Sequence, residues 1–141
     1  LFLIIGMLGL GQAIQYSGVA DLLAIKVVET THGMDPRILI SLLYLLSAIL
    51  TEMVSNNAVA ALLTPLVIIV GIQLGVDPKP FIAAVMFGSS ASFATPIGYQ
   101  TNTFVYGAGG YKFGDFFRAG FPLAVILWIV ASILIPVIWP L

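Results

Sequence analysis

Eight consecutive residues, Thr51-Glu52-Met53-Val54-Ser55-Asn56-Asn57-Ala58, set hydroxyl, carboxylate and amide groups between two apolar runs. A second polar break, Ala94-Thr95-Pro96-Ile97-Gly98-Tyr99-Gln100-Thr101-Asn102, interrupts the next apolar segment. Polar groups at bilayer depth are costly unless they line a cavity or hold a ligand, and two broken hydrophobic segments point to a transporter's binding site. The chemistry available at such breaks is that of helix ends. A helix entering the first break presents carbonyls from about Thr51 to Val54, which suit a hard cation such as Na⁺. The helix leaving it presents N–H groups near Asn57 to Ala60, which suit an anion. The second break offers the same pieces, with Ala94 and Thr95 carbonyls on one side and N–H groups from Gly98 onward on the other. A pair of such tips can enclose an oxyanion without a buried Arg or Lys.

Within the breaks, Ser55, Asn56 and Asn57 carry the strongest case for binding, because three adjacent polar residues exceed what helix packing needs. Thr95 and Pro96 come next, whereas Ser89, Ser90 and Ser92 read as small packing residues. Glu52 is the one carboxylate within an apolar core region. Two roles suit it equally, a proton-coupling group or a helix-to-helix hydrogen bond near the tip. A proton-coupled transporter or a channel-like pore using Glu52 is therefore the alternative to sodium coupling.

The surrounding chain is a membrane sequence. It is 60% hydrophobic and only 8% charged, against roughly 25% charged in soluble domains. A net charge of −1 provides no basic face for nucleic acid. With no cysteine and a single histidine, His32, there is no disulfide framework, no thiolate nucleophile and no Cys/His metal cluster. Neither a Ser/His pair nor paired aspartates occur in the spans, so the chain does not read as an enzyme, and no cofactor is expected beyond a coupling Na⁺.

The elements that must position the two breaks follow from the apolar runs. Residues 1–28 form a first span, with Gly6, Gly9 and Gly11 as packing residues. The chain starts inside this run without a charged leader, so it reads as part of a longer protein rather than as a signal peptide. Pro36 opens the next helix. Residues 36–75 then read as a re-entrant hairpin with its tip at 54–58, residues 80–108 as a broken span, 111–120 as an interfacial segment with Lys112, Asp115 and Arg118 among phenylalanines, and 121–139 as the last span. Trp139-Pro140 suits the interfacial end of that span. A re-entrant hairpin puts Lys26, Arg37 and Lys79 on one side and Lys112 with Arg118 on the other, a three-against-two division that leaves the orientation open.

These residues resemble the C-terminal repeat of the divalent anion:sodium symporter family, within the ion-transporter superfamily. The family's tip signature is Ser-Asn-Thr after a Thr four residues earlier; here Thr51 precedes Ser55-Asn56-Asn57. The similarity continues in Ala58-Val59-Ala60-Ala61-Leu62-Leu63-Thr64-Pro65, in Ala94-Thr95-Pro96, in Phe104-Val105-Tyr106-Gly107 and in Gly110-Tyr111-Lys112-Phe113-Gly114-Asp115. The resemblance implies an all-α membrane fold, one inverted-repeat half of an elevator-type transporter, multi-pass in the cytoplasmic membrane. Its partners would be an N-terminal repeat of the same full-length protein and a second copy in a homodimer. It also implies sodium ligation by Thr51, Val54, Asn56 and Ala94, mostly through backbone oxygens, and anion contact by Ser55, Asn56, Asn57, Thr95 and Pro96. Asn57 stands where the family usually has Thr, and Ile97-Gly98 replaces the Pro-Asn of many dicarboxylate carriers. The string Thr95-Pro96-Ile97-Gly98-Tyr99-Gln100-Thr101-Asn102 is more similar to the sulfate-permease-like branch, which favours sulfate over a dicarboxylate as the divalent anion.

Overall fold

The computed structural model describes residues 33–140 continuously and, before them, Gly9, Ala13, residues 16–18, Leu22, residues 25–26 and residues 29–30. The span expected over 1–28 falls largely outside the described residues. The first continuous helix, α1 (Pro36–Thr51), starts where its sequence directs. Asp35 is extended and its carboxylate accepts from the Arg37 N–H at 2.9 Å, while Pro36 occupies the first turn, where a missing N–H costs nothing. Leu39, Ile40, Leu43, Tyr44, Ser47 and Thr51 recur at helical spacing and are its buried face.

Helix α2 (Asn56–Leu74) follows a tip of only four residues, 52–55. The tip thus sits two residues earlier than the 54–58 expected, and Asn56 and Asn57 belong to the first turn of α2. The reason is local: Ser55 is extended and its carbonyl accepts the Ala58 and Val59 N–H groups at 2.9 and 3.2 Å, so the residues after it fall into the helix. Val59, Leu63, Val67 and Val70 form the buried stripe of α2, and Gly75, at φ 70°, closes its end in the left-handed region.

Helix α3 (Lys79–Ser89) packs against both α1 and α2. Asp77 prepares its start by accepting from the Lys79 N–H at 3.0 Å. That bond, with the Lys79 ammonium 3.4 Å away, holds the Asp77 carboxyl below the usual carboxylate range. The chain then unwinds over 90–99, starting ahead of the Ala94–Asn102 break read from the sequence, and resumes as α4 (Gln100–Gly109).

Helix α5 (Phe113–Ile138) joins the expected interfacial segment and last span into one uninterrupted helix. Its 26 residues rise about 39 Å, more than a hydrocarbon core of about 30 Å. The excess accommodates the charged first turns, where Asp115 accepts from the Lys112 N–H at 2.7 Å. Of its residues only Gly120 and Ile135 are buried, and Ile126, Ile129, Ile133 and Val137 are exposed. Two helices among the described residues, α2 and α5, are long and apolar enough to cross a membrane. By contrast the 16 residues of α1 rise only about 24 Å.

Helix α5 runs antiparallel to α1. Near one end the Trp128 indole donates to the Ser41 carbonyl at 3.1 Å and the Ser132 hydroxyl donates to the Ser41 hydroxyl at 2.9 Å. Near the other, Gly120 lies against the unwound segment. A Cβ at Gly120 would collide with the Phe93 carbonyl oxygen and stand 2.8 Å from the Ala94 nitrogen, so only glycine lets the helix approach so closely. The core between these helices is filled by Ile40, Val67, Val70, Phe81, Val85 and Ile135. Every charged residue between 33 and 140 lies at a helix start or in a connector except Glu52, at the hairpin tip.

Gly120→Ala should destabilise the full-length protein by ~2 kcal/mol, the usual cost of overpacking against backbone that cannot yield. Thermal unfolding in detergent would register this as a lowered midpoint. Gly114→Ala, on the same helix with nothing within 4 Å of the added methyl group, should leave the midpoint unchanged or slightly raised.

Candidate functional site

Two helices begin at the same place in space. Ser55 and Tyr99 are the extended N-cap residues of α2 and α4, and neither side chain caps its helix. The first-turn N–H groups of a helix have no acceptor within it, so both starts present donors and the positive end of a helix dipole. They open on one cavity of about 480 Å³ lined by Ser55, Asn56, Asn57, Ser90, Ile97, Gly98, Tyr99, Gln100 and Thr103. None of these side chains is charged. The lining is rich in neutral donors, which is the chemistry that desolvates an anion without trapping it against a fixed counter-charge.

Ser55, Asn56 and Asn57 stand together on the cavity wall. Thr95 and Pro96 stand behind it. The Thr95 hydroxyl donates to the Glu52 carbonyl at 3.0 Å and accepts from the Gly98 N–H at 3.3 Å, and buried Pro96 offers its carbonyl to the Thr103 hydroxyl at 2.8 Å. The wall on that side is made instead by Ile97, Gly98 and Tyr99, with Gln100 and Thr103 from α4 and Ser90 from the end of α3. Of these, the sequence points to the Gly98 N–H and those after it, reads Ser90 as a packing residue and does not mark the Gln100 and Thr103 side chains. A signal for two of them existed, since Gln100 and Thr103 are three residues apart in the first turn after a break and therefore share a face.

The four residues of the expected cation site distribute as follows. The Thr51 hydroxyl, fully buried, lies 2.6 Å from the Asn56 side-chain oxygen and 2.7 Å from the Ser89 carbonyl. The hydroxyl thus joins the first turn of α2 to the end of α3. Ala94 is joined to the tip through its N–H, donated to the Glu52 carboxylate at 2.8 Å. Val54 is on the exposed turn, its N–H donated to the Leu50 carbonyl at 3.0 Å. The Thr51 and Glu52 carbonyls, expected to be free, receive the Ser92 hydroxyl at 3.4 Å and the Thr95 hydroxyl at 3.0 Å.

The two breaks interlock. A Cβ at Gly98 would collide with the Ser92 hydroxyl and stand 2.7 Å from the Thr51 carbonyl, so glycine is required for the second break to lie on the first. Asn102 fastens the carbonyl side of the unwound segment, its amide donating to Ser92 O at 2.9 Å and Thr95 O at 3.1 Å.

The comparisons with known proteins agree with this architecture. A family model described as citrate transporter (CitMHS) matches residues 1–140. The chain belongs to the citrate transporter family. Members of this family resemblance include an uncharacterized transporter of Synechocystis, 42% identical over 139 residues, and an uncharacterized transporter of Escherichia coli, 34% identical over 140 residues. Each comparison covers 99% of this chain and 23% of the relative. A sodium/sulfate cotransporter of Chlamydomonas reinhardtii is 35% identical over 128 residues, which is 90% of this chain and 14% of that protein. The chain therefore spans a quarter or less of the relatives' length. The matched family is described as a transporter family, in keeping with the two helices here that are long and apolar enough to cross a membrane.

Asn102→Asp keeps the shape of the side chain and removes both donated bonds. We expect it to destabilise the full-length protein by about 1–3 kcal/mol, since two carbonyls of the unwound segment lose a partner. Thermal unfolding in detergent measures this, and an unchanged midpoint refutes it.

Proposed function

We propose that this chain is the C-terminal half-site of a sodium-coupled secondary transporter for a divalent anion, with sulfate preferred to a dicarboxylate. The observation that carries the reading is the convergence of two uncapped helix N-termini on one cavity of about 480 Å³ with no charged side chain in its lining. Such a site binds an anion by aligned N–H groups and helix dipoles. Seryl, threonyl and amide donors match sulfate oxygens as well as carboxylates, and the sodium/sulfate cotransporter names among the relatives favour sulfate.

The anion is contacted by Ser55, Asn56 and Asn57 from the hairpin and by the N–H groups from Gly98 onward, with Thr95 and Pro96 holding the second tip behind them. Sodium sits at the carbonyl ends, coordinated by Thr51, Val54, Asn56 and Ala94. The Thr51 hydroxyl, the Asn56 side chain and the Ser89 carbonyl meet within hydrogen-bond distance, and such a gathering of oxygen-bearing groups supports a hard cation there. Sodium lowers the cost of bringing in a dianion, and the anion strengthens sodium binding by the same factor. The hairpin α1–α2 is re-entrant, which the limited length of α1 supports. An N-terminal repeat of the full-length protein completes the site, and the assembly is a homodimer of the cytoplasmic membrane that moves by an elevator motion.

Uptake of labelled sulfate by the full-length protein in proteoliposomes should require an inward sodium gradient and fall ~10-fold or more when choline replaces sodium. Asn56→Ala, which touches both proposed sites, should abolish uptake. Equal uptake in sodium and choline would refute the coupling, and preferential uptake of succinate or citrate would refute the choice of sulfate. Uptake that follows a pH gradient and ignores sodium would favour the proton-coupled alternative.

A further inference from the structure

The two polar breaks carry backbone donors and acceptors that the apolar surroundings cannot satisfy, and one side chain serves the donors. The Glu52 carboxylate accepts from two consecutive backbone N–H groups, Phe93 at 2.9 Å and Ala94 at 2.8 Å, both through Oε1. The same residue's carbonyl accepts the Thr95 hydroxyl at 3.0 Å. Glu52 thereby grips three successive residues of the unwound segment from the hairpin tip. Its other oxygen, Oε2, is buried without a hydrogen-bond partner. The side chain borders an apolar cavity of about 330 Å³ between α1 and α5, whose wall includes Ile49, Phe117, Phe121 and Trp128.

A group that shuttled protons to the anion would have an oxygen on the polar cavity lined by Ser55, Asn56 and Asn57. Glu52 is not among the residues lining that cavity. Its bonded oxygen is occupied by backbone, and its free oxygen is enclosed. The geometry points to Glu52 as a positioning residue: it clamps the second break to the first and so fixes where the two helix N-termini aim. Asn102 does the converse work on the carbonyl side of the same segment. The inference rests on the reading of the cavity as an anion site, but the clamp itself can be tested without transport.

Two substitutions separate the clamp from a role that needs negative charge. Glu52→Gln retains a side-chain oxygen able to accept both N–H groups; Glu52→Leu keeps much of the volume and removes the acceptor. Hydrogen exchange of the 90–99 segment, followed by mass spectrometry on the detergent-solubilised full-length protein, reads the clamp directly. Exchange at Phe93 and Ala94 should be near wild type in Glu52→Gln and ~10-fold faster or more in Glu52→Leu. In proteoliposomes Glu52→Gln should keep wild-type half-saturation for sulfate and an unchanged pH profile, whereas Glu52→Leu should raise half-saturation ~10-fold with folded yield counted separately. Loss of uptake in Glu52→Gln with amide protection intact would overturn the proposal, because charge rather than position would then be required. Unchanged exchange in Glu52→Leu would overturn it as well. Sodium-independent uptake by the wild type would refute the sodium-coupled reading alone, since the exchange measurement does not depend on it.

Discussion

A helix broken inside an apolar environment exposes N–H and C=O groups that must find partners within the protein, and the rest of this structure depends on how that need is met. Each unpaired group would cost several kcal/mol in hydrocarbon. The chain meets it by laying one break against another. Thr51 caps the last carbonyl of α3, Glu52 takes two N–H groups of the unwound segment, Ser92 and Thr95 return their hydroxyls to the hairpin carbonyls, and Asn102 and Thr103 from α4 serve the carbonyls of Ser92, Thr95 and Pro96. The groups left over are the first-turn donors of α2 and α4, and these face the polar cavity. The site lies where these helix starts meet, on the side of the interlock that the cross-break hydrogen bonds leave open.

Packing makes this interlock possible. The second break can lie on the first because Gly98 has no side chain, and α5 can press on the outside of it because Gly120 has none. Helix α3 sits against both arms of the hairpin, and α5 is tied to α1 through Trp128, Ser132 and Ser41, so the tip and the unwound segment are held from behind by helices with a common apolar core. The face of α5 away from that core is apolar and exposed, as a surface toward lipid would be.

Much of this was legible in the residues. The helix start at Pro36 and the charged edge at Lys112 to Arg118 follow from capping and charge, which act locally, whereas the chain unwinds from Ser90, ahead of the break read at Ala94 to Asn102. The tip was displaced by two residues because Ser55 acts as an N-cap and draws Asn56 and Asn57 into the helix. Ser55, Asn56 and Asn57 were legible as cavity residues, since three polar side chains in a row between apolar runs have few other uses. Ser90 reads from the sequence as a packing residue and the Tyr99, Gln100 and Thr103 side chains carry no binding signal, because nothing local distinguishes a serine or glutamine that lines a cavity from one that packs or faces an interface.

The sequence by itself determined that this is a helical membrane protein with two polar interruptions, because hydropathy, proline, glycine and capping preferences are properties of neighbouring residues. It also contained the family resemblance. Only the tertiary structure decided which polar groups are spent on each other and which are left for a ligand. Thr51 and Ser89 are 38 residues apart, and Glu52 and Ala94 are 42 apart; their pairing depends on the crossing of helices brought close by glycine, and no local pattern encodes it. Thr95 and Pro96 lie behind the wall and Gly98 lies on it for that same reason: the unwound segment turns its hydroxyl toward the hairpin, where a carbonyl needs it.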